Sequence, residues 1–337
     1  MVEPTDDGKR LDRFLSERIS TLTRSQAKRL IEEDCVTSLS SPKSQLRPAS
    51  LVEKGDRFQV LLSIVKPLSL TPEALHLDIL YEDKDLIVVN KPAGMVVHPA
   101  VGNSTGTLVH ALLAHCHDLS GIGGELKPGI VHRLDKGTSG VIIAAKNDAA
   151  HLHLSHQFSS RQVKKVYLAL VYGLFRQEKG FFNASLGRST RDRKKISSRT
   201  AKPKEALTNW EKNETYGRSL TFLSVTLHTG RTHQIRVHCA EAGHPLVGDT
   251  TYGSEHAAAR IPDKKFRSLL SSLERPALHA FRLGIHHPRT EQFLEFTAPI
   301  PDDLKNLLDQ FCLIYLMKIS YIIRDLLVSA QTIVMIF

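Results

Sequence analysis

The residues best suited to chemistry lie in His132-Arg133-Leu134-Asp135-Lys136-Gly137-Thr138-Ser139-Gly140. A carboxylate, Asp135, follows a β-like run at the mouth of a glycine-bearing loop. The amides and hydroxyls of such a loop can hold a substrate closely, and loops on rigid strands are where chemistry usually sits. Three familiar arrangements do not fit. A Gly-x-Ser-x-Gly elbow needs a residue between Ser139 and Gly140, which are adjacent. The glycines of 121–129 never run into Gly-Lys-Ser/Thr, so they form no P-loop. Asp135-Lys136-Gly137-Thr138 shares only its Asp-Lys pair with aspartyl-phosphate sites, and no magnesium-binding acidic pair accompanies it. On residue types alone, Asp135 fits a turn cap better than a catalyst.

The chain around this loop has 337 residues, enough for two domains or for one large and one small. Its apolar fraction of 41% and charged fraction of 24% are those of a soluble globular protein, which excludes wholesale disorder and collagen-like structure. A net charge of +10 and a pI near 9.4 call for a polyanionic partner, nucleic acid first and an anionic membrane surface second. Arg188, Arg191, Arg193, Lys194, Lys195, Arg199, Lys202 and Lys204 stand against Asp192 and Glu205, placing +6 of that charge within 185–205. The cluster suits a solvated loop or a salt-sensitive phosphate grip. Cys35, Cys116, Cys239 and Cys312 form no Cys-x-x-Cys, so free thiols in a reducing cytoplasm are expected rather than a zinc cage or disulfide framework. The acidic N-terminus lacks the apolar run of a signal peptide.

Helical spacing of Leu11, Phe14, Leu15 and Ile19 predicts a first helix. Thr23-Arg24-Ser25-Gln26 reads as a capping box opening a second, with Ala27, Leu30 and Ile31 on one side and Arg24, Lys28 and Arg29 on the other. With the strand-like run 57–62 these make a small α+β unit over 9–65, and 66–76, with Lys66-Pro67 and Thr71-Pro72, reads as a linker. From 77 to 310 the pattern is strand-rich. A hairpin is predicted over 79–89, helices over 107–115 and 147–160, and strands over 129–134, 141–145, 165–171, 219–228, 277–286 and 292–297. Residues 311–337 are apolar but interrupted by Lys318, Arg324 and Asp325, short of the about 18 residues of a membrane span. They read as a dispensable, non-native extension, with removal after Gln310 expected to leave a soluble, active protein.

Taken together, five segments resemble the RluA-type pseudouridine synthases: Leu86 to Pro99, Gly129 to Val141, Tyr167 to Val171, Thr229 to His238, and His244 to Asp249. Residues 9–62 resemble an S4 RNA-binding domain, and the Gly102-Asn103 segment is most similar to the D-type large-subunit rRNA synthases. The resemblance implies an α+β catalytic domain with a central, mostly antiparallel mixed sheet. It implies isomerisation of uridine to pseudouridine in structured RNA, most of all large-subunit rRNA. No group enters or leaves in that reaction, so no cofactor is expected, and no metal. A cytoplasmic monomer is expected, with no membrane partner. Asp135 matches the family's catalytic aspartate, Arg231 the cation paired with it, and Tyr167 the tyrosine that stacks on an extruded base and can assist proton removal. Extrusion costs about a few kcal/mol, and stacking returns roughly 1–3 kcal/mol. Arg133 matches an arginine that enters the vacated space. His132, Arg24, Lys28, Arg29, Arg193, Lys194 and Lys195 are further expected RNA contacts. His151, His153 and His156, and His228, His233 and His238, have no metal-ligand spacing and read as structural or surface residues. A tRNA synthase, or a non-catalytic RNA-binding assembly factor, remains open.

Overall fold

The computed structural model of the chain describes residues 1–19, 22, 24–40, 46–61, 70–100, 102–116, 119, 128–192, 194–311 and 313. The chain divides into two compact units, Met1–Ser69 and Leu70–Phe337. In the first, α1 (Leu11–Arg18) and α2 (Arg24–Glu32) precede β1 (Val36–Ser38) and β2 (Phe58–Val60), which pair antiparallel. The helical spacing read from the sequence places Leu11, Phe14 and Leu15 against Ala27 and Ile31, with Val36 closing the same core. On α2, Arg24 is exposed and pairs with Asp12 at 3.3 Å, while Lys28 pairs with Glu32 at 3.6 Å. Thr23 and Gln26 of the expected capping box, the Arg29 side chain and Lys66-Pro67 lie outside what is described.

The second unit contains β3 (Ile79–Glu82), β4 (Leu86–Lys91), α3 (Leu108–His115), β5 (Ser139–Ala145), α4 (Asp148–Ser159), β6 (Lys164–Tyr172), β7 (Lys179–Asn183), β8 (Gly187–Arg188) and β9 (Ile196–Ser197). It continues with β10 (Leu207–Tyr216), β11 (Leu220–Leu227), α5 (Gln234–Glu241), α6 (Ser254–Ala259), α7 (Lys264–Ser271), β12 (Leu278–His286) and β13 (Phe293–Thr297). Among the described residues, nine strands form one sheet in the order β3-β4-β5-β12-β6-β11-β10-β7, with β13 also on β12. Every pair is antiparallel except β5 with β12, so the sheet is mixed and mostly antiparallel, as the resemblance implies.

β5 is central because its alternation serves two cores. Val141, Ile143 and Ala145 pack with Ala150 and Leu154 of α4, whereas Ile142 and Ala144 pack with Leu108 and Leu112 of α3. Asn147 caps α4 by accepting a hydrogen bond from Ala150 N at 3.0 Å. Gly140 is required where β5 meets β12. Its φ is +112°, and a Cβ there would lie 2.1 Å from the Ala280 carbonyl oxygen.

Residues 129–134 do not form the expected strand; a single bridge joins Ile130 to Ala144. The ladder between β12 and β5 covers only Ser139 and Gly140, so amides further along β5 need other acceptors. Ala145 N donates to Gly129 O at 2.8 Å, and Ile143 N donates to His132 Nε2 at 3.1 Å. The His132 ring stacks on Phe158 at 4.5 Å. A side chain thus replaces strand pairing, which forces the backbone of 129–134 out of extended register.

At the other end of β5, the Ser139 hydroxyl donates to His279 Nδ1 at 2.9 Å, and His279 Nε2 donates to Ala298 O at 3.3 Å. Burial drives His132 down to about 3, with nearby Lys165 adding to the effect. Burial takes His279 to about 4 despite its bond to Ala298. Both rings are therefore neutral structural groups, and His132, expected as an RNA contact, spends its Nε2 on the β5 backbone.

After β13, residues 302–311 form a helix that buries Leu304, Leu307, Leu308 and Phe311 against Leu270 and Tyr216. Phe311 is 2% exposed, with ring centroids 5.3 Å from Tyr216 and 4.9 Å from Phe266. The expected boundary at 311 is thereby corrected: a cut after Gln310 removes a core aromatic. Residues 314–337 and Cys312 lie outside what is described. Cys116 and Cys239 are buried free thiols and Cys35 is a half-buried one. No helix among the described residues is long and apolar enough to cross a membrane.

Two outcomes follow from this packing. Replacing Phe311 with Ala should cost about 3–5 kcal/mol in denaturant unfolding; a loss under about 1 kcal/mol would show that the helix end is not part of the core. An unfolded histidine titrates near about 6.5. The stability contributed by keeping His279 and His132 neutral is thus complete above that pH and is lost as pH falls through about 4 and about 3. The melting temperature should decline progressively on acidification below about pH 6.5, and His132→Gln should shallow that decline. An acid slope unchanged by the substitution would contradict the assignment.

Candidate active site

The loop carrying Asp135 is held by its own turn and from two distant parts of the chain. Thr138 N donates to Asp135 O at 3.0 Å, closing a tight turn. Gly94 N donates to Lys136 O at 2.7 Å, and Arg275 Nη1 donates to Gly137 O at 3.4 Å. Arg275 is itself fixed by two bonds to Asp303, at 2.6 and 2.7 Å. The turn bearing Gly94 is organised by Lys91, a fully buried lysine whose ammonium donates to Pro92 O at 2.7 Å and Met95 O at 2.9 Å. Burial pulls Lys91 down to about 7; the negative charge of Asp135 opposes this and Arg275 adds to it.

Asp135 opens into a pocket of about 90 Å³ that it shares with Arg133, Tyr167, Arg231, His233 and Arg236. The expected pairing of Asp135 with Arg231 is not the one made. Arg236 Nη1 lies 3.7 Å and His233 Nε2 3.8 Å from Asp135 Oδ2. Arg231 instead sits at the rim, where its Nε donates to Glu205 O at 3.0 Å. The reason is local. The Gln234 side chain accepts from Arg231 N at 3.0 Å and from the Thr229 hydroxyl at 2.8 Å, while donating to Leu207 O and Thr208 Oγ1. This knot turns the chain into α5 at Arg231, so the first inward-facing arginine is Arg236, two residues into the helix.

Arg236 is clamped. Its Nε and Nη2 donate to the two oxygens of Asp249 at 2.6 and 2.8 Å, leaving Nη1 toward Asp135. The guanidinium also lies over the Tyr252 ring, 5.0 Å from its centroid. Burial alone would lower its pKa, but the hydrogen bonds and charge of Asp249, with the charge of Asp135, outweigh it. Tyr252 fixes the neighbouring histidine too. Its hydroxyl accepts from Ile196 N at 3.0 Å and donates to His233 Nδ1 at 2.8 Å. That leaves the His233 ring proton on Nε2, facing Asp135. Burial holds His233 below the usual histidine range against the pull of Asp135, while Arg236 and Arg133 reinforce the lowering. His233 has a left-handed φ of 55°, a strained conformation of the kind that clusters at functional sites.

Tyr167 lies on β6, where Val166 and Leu168 alternate away from it, and its side chain lines the Asp135 pocket. Burial raises its phenol above the usual tyrosine range, and the Asp135 charge adds to this. It is therefore a neutral ring able to stack on a base and is not a ready phenolate. Arg133 is exposed and borders the same pocket. The basic cluster folds into the β8–β9 hairpin, with Lys194 and Lys195 exposed at its turn and Arg193 outside what is described. Ser197 Oγ donates to Glu241 of α5 at 2.8 Å, and Ile196 reaches Tyr252, so the hairpin is tied to the elements that hold Arg236. His238 links Thr208 Oγ1 to Ala184 O and is structural.

Arg236 and Asp249 were not anticipated. The one local signal is that Arg236 stands between Ile235 and Val237, and a charge that is buried requires a carboxylate partner.

Comparison with known proteins agrees with this geometry. Residues 85–241 match the family model described as RNA pseudouridylate synthase. The chain is 42% identical over 303 residues to the ribosomal large subunit pseudouridine synthase D of Zymomonas mobilis, covering 88% of this chain and 92% of that one. It is 41% identical over 298 residues to an uncharacterized RNA pseudouridine synthase of Aquifex aeolicus, covering 88% and 92%. The solved structure of human RNA Pseudouridylate Synthase Domain Containing 1 matches 71% of this chain and 96% of its own, with a TM-score of 0.51 at 26% identity. The chain belongs to the RNA pseudouridylate synthase family.

Proposed function

We propose that the protein isomerises specific uridines of large-subunit ribosomal RNA to pseudouridine, with Asp135 as nucleophile. The observation that carries this reading is the Asp135 carboxylate, 20% exposed, facing Arg236 in a pocket bordered by the neutral Tyr167 ring. Asp135 attacks C1′ as the N1–C1′ bond breaks, giving a sugar–aspartate ester and a free uracil anion. The base turns, and C5 bonds to C1′ as the carboxylate leaves. C5 loses a proton and N1 gains one, so nothing is consumed and no cofactor is required. Arg236 orients the carboxylate, and Tyr167 stacks on the extruded base. Arg231, at the rim, serves as an RNA contact.

Support for a ribosomal substrate comes from relatives named ribosomal large subunit pseudouridine synthase D in Zymomonas mobilis and Neisseria meningitidis. The first unit acts as an S4-type RNA-binding domain, a role suited to its helix–helix–strand order and to the exposed Arg24 and Lys28. Lys194, Lys195 and Arg193 of the hairpin add phosphate contacts, and the enzyme works as a cytoplasmic monomer.

A pseudouridine map of ribosomal RNA from cells lacking the protein should miss one or more sites that re-expression restores; an unchanged map would refute the substrate. Asp135→Asn should abolish product formation with little change in RNA affinity, and a variant as active as the parent would remove Asp135 from its role. Asp249→Asn should slow single-turnover product formation by about 10- to 100-fold, through the loosened Arg236 clamp. A variant at the parent rate would show that Arg236 needs no clamp.

A further inference from the structure

We propose that a second pocket, which adjoins the Asp135 pocket and shares Tyr167 with it, binds a backbone phosphate of the RNA beside the target uridine, with Lys165 as its principal ligand. The proposal rests on the RNA-isomerase reading above and adds a specific subsite to it. The pocket measures about 350 Å³ and shares Arg133, Tyr167, Leu227, Gly230 and Arg231 with the Asp135 pocket, so the two adjoin. Its remaining cations are Arg161 and Lys165, His228 also lines it, and no acidic side chain does.

Lys165 is the informative residue. It is 8% exposed, yet it has no hydrogen bond or ion pair among the described residues. Its neighbour Lys164, on the opposite face of β6, is paired with Glu295 at 2.8 Å. An ammonium that ends a largely buried side chain and has no protein partner gains most from an anion brought to it. Its nitrogen is not among the sealed polar atoms of the interior, so it reaches the pocket. The nearest wall offers no counter-charge: His132 is neutral and spends its Nε2 on Ile143 N. Burial, and then Arg161, hold the Lys165 ammonium below the usual lysine range, an effect that an anion would reverse.

Arg161 gives the site a fixed rim. It has a left-handed φ of 62° and is bound to Glu205 at 2.7 Å, while Arg231 is bound to the Glu205 carbonyl. Glu205 thus ties both rim arginines to one residue, through its carboxylate to Arg161 and its carbonyl to Arg231. Lys165 and Tyr167 are two residues apart on β6 and share a face, about 7 Å apart along the strand. A ring that stacks on the target base and an ammonium for the adjoining phosphate then sit on one rigid element.

The test uses oligoribonucleotides containing the target uridine, each with one charge-free methylphosphonate linkage at a successive position. Pseudouridine formation by the parent on the all-phosphate strand first checks the functional reading. One neutral linkage next to the target should raise KM about 10- to 100-fold for the parent, with single-turnover rate at saturating enzyme within about 3-fold. Lys165→Gln should show a comparable rise on the all-phosphate strand and lose sensitivity to that linkage, while Lys165→Arg should restore most of it. Equal sensitivity of Lys165→Gln and parent at every linkage would overturn the proposal. A readout on the parent alone guards against misfolding of the variant: the all-phosphate strand should protect Lys165 from amine acylation, and the strand with the critical neutral linkage should not. Absence of protection would overturn the proposal equally. If the parent made no pseudouridine in any RNA, the functional reading would fall, while binding of the same strands would still test the phosphate subsite.

Discussion

Arg236 is a buried guanidinium shared by two carboxylates, and its geometry leaves little freedom. Asp249 takes two of its nitrogens in a fork, and the third is directed at Asp135. The arrangement solves a problem any such site faces, since a catalytic carboxylate must sit in a pocket dry enough for chemistry while keeping its charge. A lone arginine pointing at Asp135 would be costly to bury. An arginine neutralised by Asp249 carries its partner with it and holds one direction. Tyr252 then serves both sides, lying against the guanidinium and fixing the His233 tautomer.

Much of the remaining fold delivers Asp135 to that guanidinium. The aspartate precedes β5, and β5 is the strand whose two faces feed two separate cores. Its parallel contact with β12 is so close that Gly140 admits no side chain. Carbonyls of the Asp135 loop are gripped by Gly94 and Arg275, and the segment bearing Gly94 is held by the buried ammonium of Lys91. Removing one of these partners would leave a buried polar group unpaired, which costs about 1–3 kcal/mol. Such a site is rigid because its parts are needed for folding as well as for position.

The sequence made legible what depends on periodicity and on strings of adjacent residues. Two N-terminal helices, the β3–β4 hairpin, α4, and the strands β6, β11, β12 and β13 follow directly from spacing, and Asp135 and Tyr167 from their motifs. Features set by contacts between distant segments stayed hidden. His132 looked like an RNA ligand beside Arg133, because nothing local shows that Ile143 needs an acceptor. Phe311 looked like the start of an alien tail, because its partners Tyr216 and Phe266 lie 95 and 45 residues upstream. The resemblance points to Arg231, and the motif cannot show otherwise: which arginine faces inward is decided by the Gln234 knot and by Asp249, neither of which a linear motif reveals. The proposed subsite around Lys165 belongs with these, since its lining is assembled from segments far apart in the chain.

The most direct measurement compares Arg236→Ala with Arg231→Ala in single-turnover pseudouridine formation at saturating enzyme, with RNA affinity measured alongside. If Arg236 is the cation that holds Asp135, its loss should slow the chemical step by about 100-fold or more with affinity nearly unchanged. Arg231→Ala should weaken RNA binding and leave the saturated rate within about 3-fold of the parent. A normal saturated rate in Arg236→Ala, with the chemical loss appearing in Arg231→Ala, would contradict the assignment of Arg236 to Asp135.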